Sequence, residues 1–296
     1  MWVPVTLLAA VMQILRTSAQ HDLRATLTTS GAAYVRYLYG APLGVLATVT
    51  WFAISDRAVP SPPGSFWVWV TAAGIAQILG TIALLQSFRT RDFAVGTVYA
   101  KTEVIQVALA SSLLLGEPLR PLGWVGAGVV MIGVALLAGR GSLGAVVRRA
   151  GDPAALLGIA AGGLFGLASI GIRGASSSLG DAPVIDRALL TLACMLTIQA
   201  TVNGLYFALR DRSELARTIC CWRSAAVVGV LSLAGSAGWA IAMTLENAAK
   251  VRTLGQVELV LAFLIAWRRH GERHTGADLL ASATVLVGVA VVASMG

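Results

Sequence analysis

Long apolar runs separated by short polar connections organise this chain. Ten of them, at 2–19, 33–54, 66–87, 93–115, 121–139, 154–173, 184–209, 223–245, 251–267 and 276–295, reach or approach membrane-spanning length. A helix needs about 20 apolar residues to cross the hydrocarbon core of a bilayer. The pattern therefore predicts an all-α integral membrane protein with about ten transmembrane helices. The first run lacks a basic leader and contains Gln13 and Arg16, and no small-residue cleavage site precedes the polar stretch 21–29. It is expected to be a retained helix and not a signal peptide. Proline or glycine at 60–63, 118–121 and 180–183 marks turns where a helix cannot readily continue.

Composition agrees with that picture. Charged residues make up 12% of the chain, against about a quarter in an average soluble domain, and mean hydropathy is +0.78. The formal net charge of +8 sits in short loops between apolar runs, which suits lipid headgroups and topology better than nucleic acid. Odd-numbered connections hold twelve basic residues, from Arg24 to Arg273. Even-numbered ones hold five: Arg57, Arg120, Arg173, Lys250 and Arg252. That bias favours cytoplasmic odd connections and outside termini. Cys194, Cys220 and Cys221 form neither a disulfide framework nor a metal spacing.

The polar positions also repeat. Gly116-Glu117 returns as Gly271-Glu272, and Glu103 returns as Glu258, both at a separation of 155 residues. Gly74/Gly229, Gly80/Gly235 and Gly133/Gly288 keep the same offset, and 67–139 aligned on 222–294 shares 13 identities in 73 positions. Arg36 and Arg187 each open an apolar run, at an offset of 151 that requires a small gap. The chain thus divides into repeats at 1–139 and 154–296, joined by a basic linker at 140–153. Five helices per repeat is an odd number, so the two halves would insert with opposite orientation about an axis in the membrane plane.

A polar fourth helix, then Gly-Glu-Pro-Leu at 116–119, then a glycine-rich fifth helix (Gly123, Gly126, Gly128, Gly133) resembles the EamA-type transporters of the drug/metabolite transporter superfamily. Gly271-Glu272 repeats the motif in the second half, with Arg273 in place of the proline. The resemblance implies two five-helix units and export of a metabolite or drug-like compound, with proton coupling as an option. It also implies cytoplasmic termini, against the charge count.

Candidate chemistry concentrates where charge meets mid-helix. A charged side chain at a helix centre costs about 2.5–3.5 kcal/mol on insertion scales, so Glu103 needs a cavity, a partner or a proton. Tyr99, Glu103 and Gln106 share one helical face, with Thr102 beside them; the stripe either lines a polar pathway or hydrogen-bonds neighbouring helices together. Lys101 points roughly 200° away from Glu103. It is expected to pair across helices, touch an anionic substrate group, or snorkel. Glu258, near Gln256, has only Leu254 and Leu261 on its stripe and reads as the more isolated acid, a candidate for proton exchange or for one structural hydrogen bond. Trp239 is the tryptophan in mid-span, suited to stacking on a ligand or to core packing. Arg16, Arg36 and Arg187 read as snorkelling anchors, and the Gly-Glu pairs as helix punctuation. Gly158, Gly162 and Gly166, like Gly40 and Gly44, allow close helix approach.

No zinc-protease helix motif, phosphate-binding loop or plausible Ser/His/Asp arrangement is present, and His21, His270 and His274 fall in loops. No enzyme activity, cofactor or metal is expected. The reading is a multi-pass inner (plasma) membrane secondary transporter, moving a small organic solute by alternating access. Protons are an optional partner, and no oligomer is required. The cavity is expected near midplane, lined by helices one, three, four, six, eight and nine. An uncoupled facilitator or exchanger, and a non-transporting scaffold, are the alternatives.

Overall fold

A computed structural model of the chain describes residues 1–87, 99–138, 144, 148, 150–261 and 275–294. The described residues are helical throughout, with short turns and no strand. In chain order the helices are α1 (Trp2–Asp22), α2 (Thr29–Ser55), α3 (Gly64–Ser87), α4 (Glu103–Leu115), α5 (Pro121–Ala138) and α6 (Pro153–Ser178). They continue as α7 (Val184–Arg210), α8 (Arg212–Cys220), α9 (Trp222–Leu245), α10 (Ala248–Gly255) and α11 (Gly276–Ala293). Seven are long and apolar enough to cross a membrane, and α4 and α5 are shorter apolar helices.

The predicted runs match these helices closely, with two differences. First, α8 was not expected. Its nine residues are too polar and too short to register as a span, yet Asp211 caps its N-terminus by accepting from the Glu214 N–H at 3.0 Å. Second, the fourth and ninth runs are interrupted. Lys101–Thr102 and Gln256 are turns within otherwise helical stretches. The two interruptions stand 155 residues apart, the offset of the repeat. The predicted starts at 93–98, the end of the ninth run, and Gly271-Glu272 lie outside the described residues.

The chain forms two compact units that do not follow the repeat boundary. One comprises Met1–Ile75 and Gly171–Leu245, the other Ala76–Ile170 and Glu246–Gly296, so the division falls within α3 and α6. In the first unit α2 lies against α7: Thr48 Oγ1 donates to the Leu189 carbonyl at 3.2 Å, and Trp51 Nε1 donates to Asp186 Oδ1 at 2.7 Å. Helix α9 approaches α1 and α2 through glycines. A Cβ on Gly238 would stand 2.8 Å from that of Ala9, and one on Gly229 2.6 Å from that of Tyr39. Arg173, counted from sequence as a loop cation, donates to the Met243 and Thr244 carbonyls at 3.1 and 2.8 Å and so closes the C-terminus of α9.

In the second unit α5 and α11 cross in direct backbone contact, and the contact is reciprocal. A Cβ on Gly133 would meet the Val285 nitrogen at 2.7 Å and the Ala281 carbonyl at 3.0 Å. A Cβ on Gly288 would meet the Val130 nitrogen at 2.7 Å and the Gly126 carbonyl at 2.8 Å. Val130 and Val285, Gly126 and Ala281, and Gly133 and Gly288 are each 155 residues apart. Helix α4 ends at Gly116 with φ +66°, where the left-handed backbone favours glycine, and the Glu117 N–H returns to the Ser111 carbonyl at 3.2 Å. The first Gly-Glu pair is helix punctuation.

Candidate functional site in the second unit

The interruption in the fourth run is built locally. Thr102 turns back on Tyr99, its N–H and hydroxyl both donating to the Tyr99 carbonyl at 3.1 and 2.5 Å. Tyr99 itself is buried against Ala154, Ala155 and Ile159 of α6. Gln106 Nε2 donates to Thr102 Oγ1 at 2.8 Å and to the Ile159 carbonyl at 3.2 Å. Thus Tyr99 and Gln106 tie the fourth run to α6, and Thr102 braces them both. Gly162 makes this approach possible: a Cβ there would lie 2.6 Å from the Ala100 carbonyl oxygen and 3.1 Å from the Glu103 nitrogen.

The ninth run has a similar construction. Asn247 caps α10, its Oδ1 accepting from the Ala249 N–H at 2.7 Å. Its Nδ2 donates to Ser111 Oγ at 3.2 Å and to the Glu117 carbonyl at 2.8 Å, which clamps α10 to the end of α4. Gln256 ends that helix, donating from Nε2 to the Arg252 carbonyl at 3.2 Å. Its Oε1 is buried with no hydrogen-bond partner among the described residues.

Between the two interrupted runs stand four charges. Arg252 Nε donates to Glu103 Oε1, and Lys101 Nζ donates to Glu258 Oε1. Each run thus contributes one acid and one base, and each acid is met by the base of the other run. The Glu103 side chain is 3% exposed and that of Arg252 15%, while Lys101 and Glu258 are each 14% exposed. Burial of this depth is tolerated because each charge is paired; removing one partner of a buried pair typically costs about 3–5 kcal/mol. The group sums to zero charge.

This arrangement corrects two sequence expectations. Glu258 is not isolated: the apolar residues on its own stripe conceal a partner on another helix, Lys101. Arg252 is not a loop cation; it lies within α10 and reaches Glu103. Sequence reasoning passed over Arg252 and Asn247. One signal was available, since Glu103 has no cation on its own helix face and must find one on another helix, and Arg252 lies in the corresponding run of the other half. Of the other candidates, Trp239 belongs to the first unit, where its Nε1 donates to Gln13 Oε1 at 3.0 Å. Among the described residues no group of histidine, cysteine and acidic side chains is arranged to hold a metal ion.

Comparison with known proteins agrees with the helical architecture. Residues 1–139 match the EamA-like transporter family. A solved structure titled only as the crystal structure of a protein superposes with a TM-score of 0.74 at 18% identity, covering 99% of this chain and 97% of its own. At that identity the likeness concerns the fold. No curated protein is similar in sequence.

Proposed function

We propose that this chain, whose residues 1–139 belong to the EamA-like transporter family, is a secondary transporter that moves a small organic solute across a membrane by alternating access. The observation that carries the reading is the pair of interrupted helices joined by crossed ion pairs. Interrupted helices at corresponding positions of two repeats are a recurrent way to build a transport site, because they bring charge and helix ends to mid-membrane depth. A scaffold has no need of four poorly solvated, crossed charges. The 155-residue offset recurs in the sequence, in the helix interruptions and in the α5–α11 contact, which supports ten helices arranged as two inverted repeats.

The pairing favours exchange or facilitated movement over proton coupling. A proton delivered to Glu103 or Glu258 would remove the negative charge that faces Arg252 or Lys101 in a poorly solvated site, which is costly. Substrate would instead be exchanged while both pairs persist or trade partners. Reconstitution into proteoliposomes loaded with a metabolite library, with counterflow as the readout, tests this. The expected outcome is accumulation of at least one organic solute at a rate unchanged by an imposed pH gradient. Accumulation that requires the gradient would restore proton coupling, and no counterflow with any solute would remove the transport reading.

A further inference from the structure

The junction of α7, α8 and α9 carries four arginines, Arg210, Arg212, Arg217 and Arg223, within 14 residues. Its two acids are already engaged. Asp211 Oδ1 accepts from Ser213 Oγ at 2.7 Å and from the Glu214 N–H at 3.0 Å. Glu214 is fully buried; its Oε1 accepts from the Thr28 N–H and hydroxyl at 2.8 and 2.7 Å, and its Oε2 forms an ion pair with Arg217 Nη2 at 2.6 Å. The surface that remains is cationic. Arg212 donates its Nε to the Ala208 carbonyl at 2.9 Å, and among the described residues no carboxylate meets its Nη groups.

Directly beside that guanidinium runs an apolar groove of about 420 Å³, lined by Ala208, Leu209, Arg212, Leu215, Ala216 and Ile219. Leu209 and Ile219 are 71% and 53% exposed, and Tyr206 and Trp222 stand exposed on neighbouring turns. Exposed aromatics of this kind mark the headgroup level of a membrane. The short helix α8 therefore has the makeup of an interfacial helix, with apolar side chains toward the acyl region and arginines at headgroup height.

We propose that the α7–α8 groove binds one molecule of an anionic glycerophospholipid, with an acyl chain along the apolar lining and its phosphate on Arg212. Charge complementarity selects the occupant. A guanidinium presents paired N–H donors that fit two phosphate oxygens, and the surrounding arginines add attraction that only a net negative headgroup satisfies. A phosphocholine lipid carries its own cation, which would face Arg210 and Arg217 unfavourably. A soluble phosphate would leave the groove empty and forgo the apolar contact.

Native mass spectrometry of the purified full-length protein tests this, titrating phosphatidylglycerol against phosphatidylcholine of identical chains. Wild type is expected to retain phosphatidylglycerol preferentially. Arg212→Gln is expected to lower that preference about tenfold, with Arg212→Lys intermediate because charge survives without the planar fork. Ala216→Trp, which fills the groove, is expected to weaken retention of the anionic lipid while leaving the arginines in place. Glycerol 1-phosphate, the headgroup chemistry without chains, is expected not to compete. Equal retention of the two lipids, an unchanged preference in Arg212→Gln, or full competition by glycerol 1-phosphate would each overturn the assignment. Thermal melting of each variant in the same detergent identifies loss of folding, and in that event the conservative lysine variant decides the matter.

Discussion

Glu103 and Arg252 set the strongest demand that single residues place on this protein. Glu103 is buried and Arg252 largely so, and each makes the other tolerable. Glu103→Gln is expected to abolish transport and to destabilise the purified protein by about 3–5 kcal/mol, since it removes the carboxylate that meets Arg252. Adding Arg252→Gln should return most of the stability without returning transport. Chemical denaturation of the two single variants and the double variant checks this, because a double-mutant cycle isolates the coupling of the pair. Stability losses that simply add would show that the two charges do not depend on one another. The sequence exposed half of this pair. Glu103 stood out because a carboxylate in an apolar run is expensive wherever it lies. Arg252 did not, because an arginine near a run's end can be read as an anchor, and only the position of a second helix distinguishes the two cases.

At the scale of elements, hydrophobic runs located the helices but not their interruptions. Run length measures how much apolar surface a segment offers, and at Lys101–Thr102 and Gln256 the ladder tightens to i→i+3 bonds without a proline or a loss of apolar flanks. Helix α8 escaped notice for the opposite reason: its stability comes from a cap and a buried carboxylate, features that a search for spans passes over. The glycines were more legible, since their shared offset foretold a shared role. Gly133 and Gly288 permit backbone contact between α5 and α11, whereas a Cβ on Gly128 of the same helix would meet nothing within 4 Å. Gly133→Leu or Gly288→Leu is therefore expected to destabilise by about 1–3 kcal/mol through overpacking. Gly128→Ala should leave stability equal or raise it by about 0.5–1 kcal/mol, as helical alanine loses less backbone entropy than glycine. Thermal midpoints of the three variants decide it; equal losses at all three positions would remove the packing argument.

For the whole molecule, the repeat in the sequence and the compact units in space divide the chain differently. The sequence halves meet near 140–153, while each compact unit takes segments from both halves. That interleaving was invisible in the linear pattern, which records recurring residues and helix length but not which helices share a neighbour. It has a physical consequence for the site, since Glu103 and Glu258 come from different halves of the sequence yet lie in one unit with both of their cations.

The zero sum of those four charges bears on membrane voltage. Moving one elementary charge through the full potential involves about 2.3 kcal/mol per 100 mV. A rearrangement that carries Lys101, Glu103, Arg252 and Glu258 together moves no net charge, so the resting potential neither drives nor resists it. Glu103→Gln leaves a surplus positive charge, so any residual movement in that variant should acquire a voltage dependence that the parent lacks. Exchange rates in proteoliposomes clamped with a potassium gradient and valinomycin would reveal the difference. For an uncharged solute, a cell that depolarises would leave the proposed transport cycle of the intact protein undisturbed.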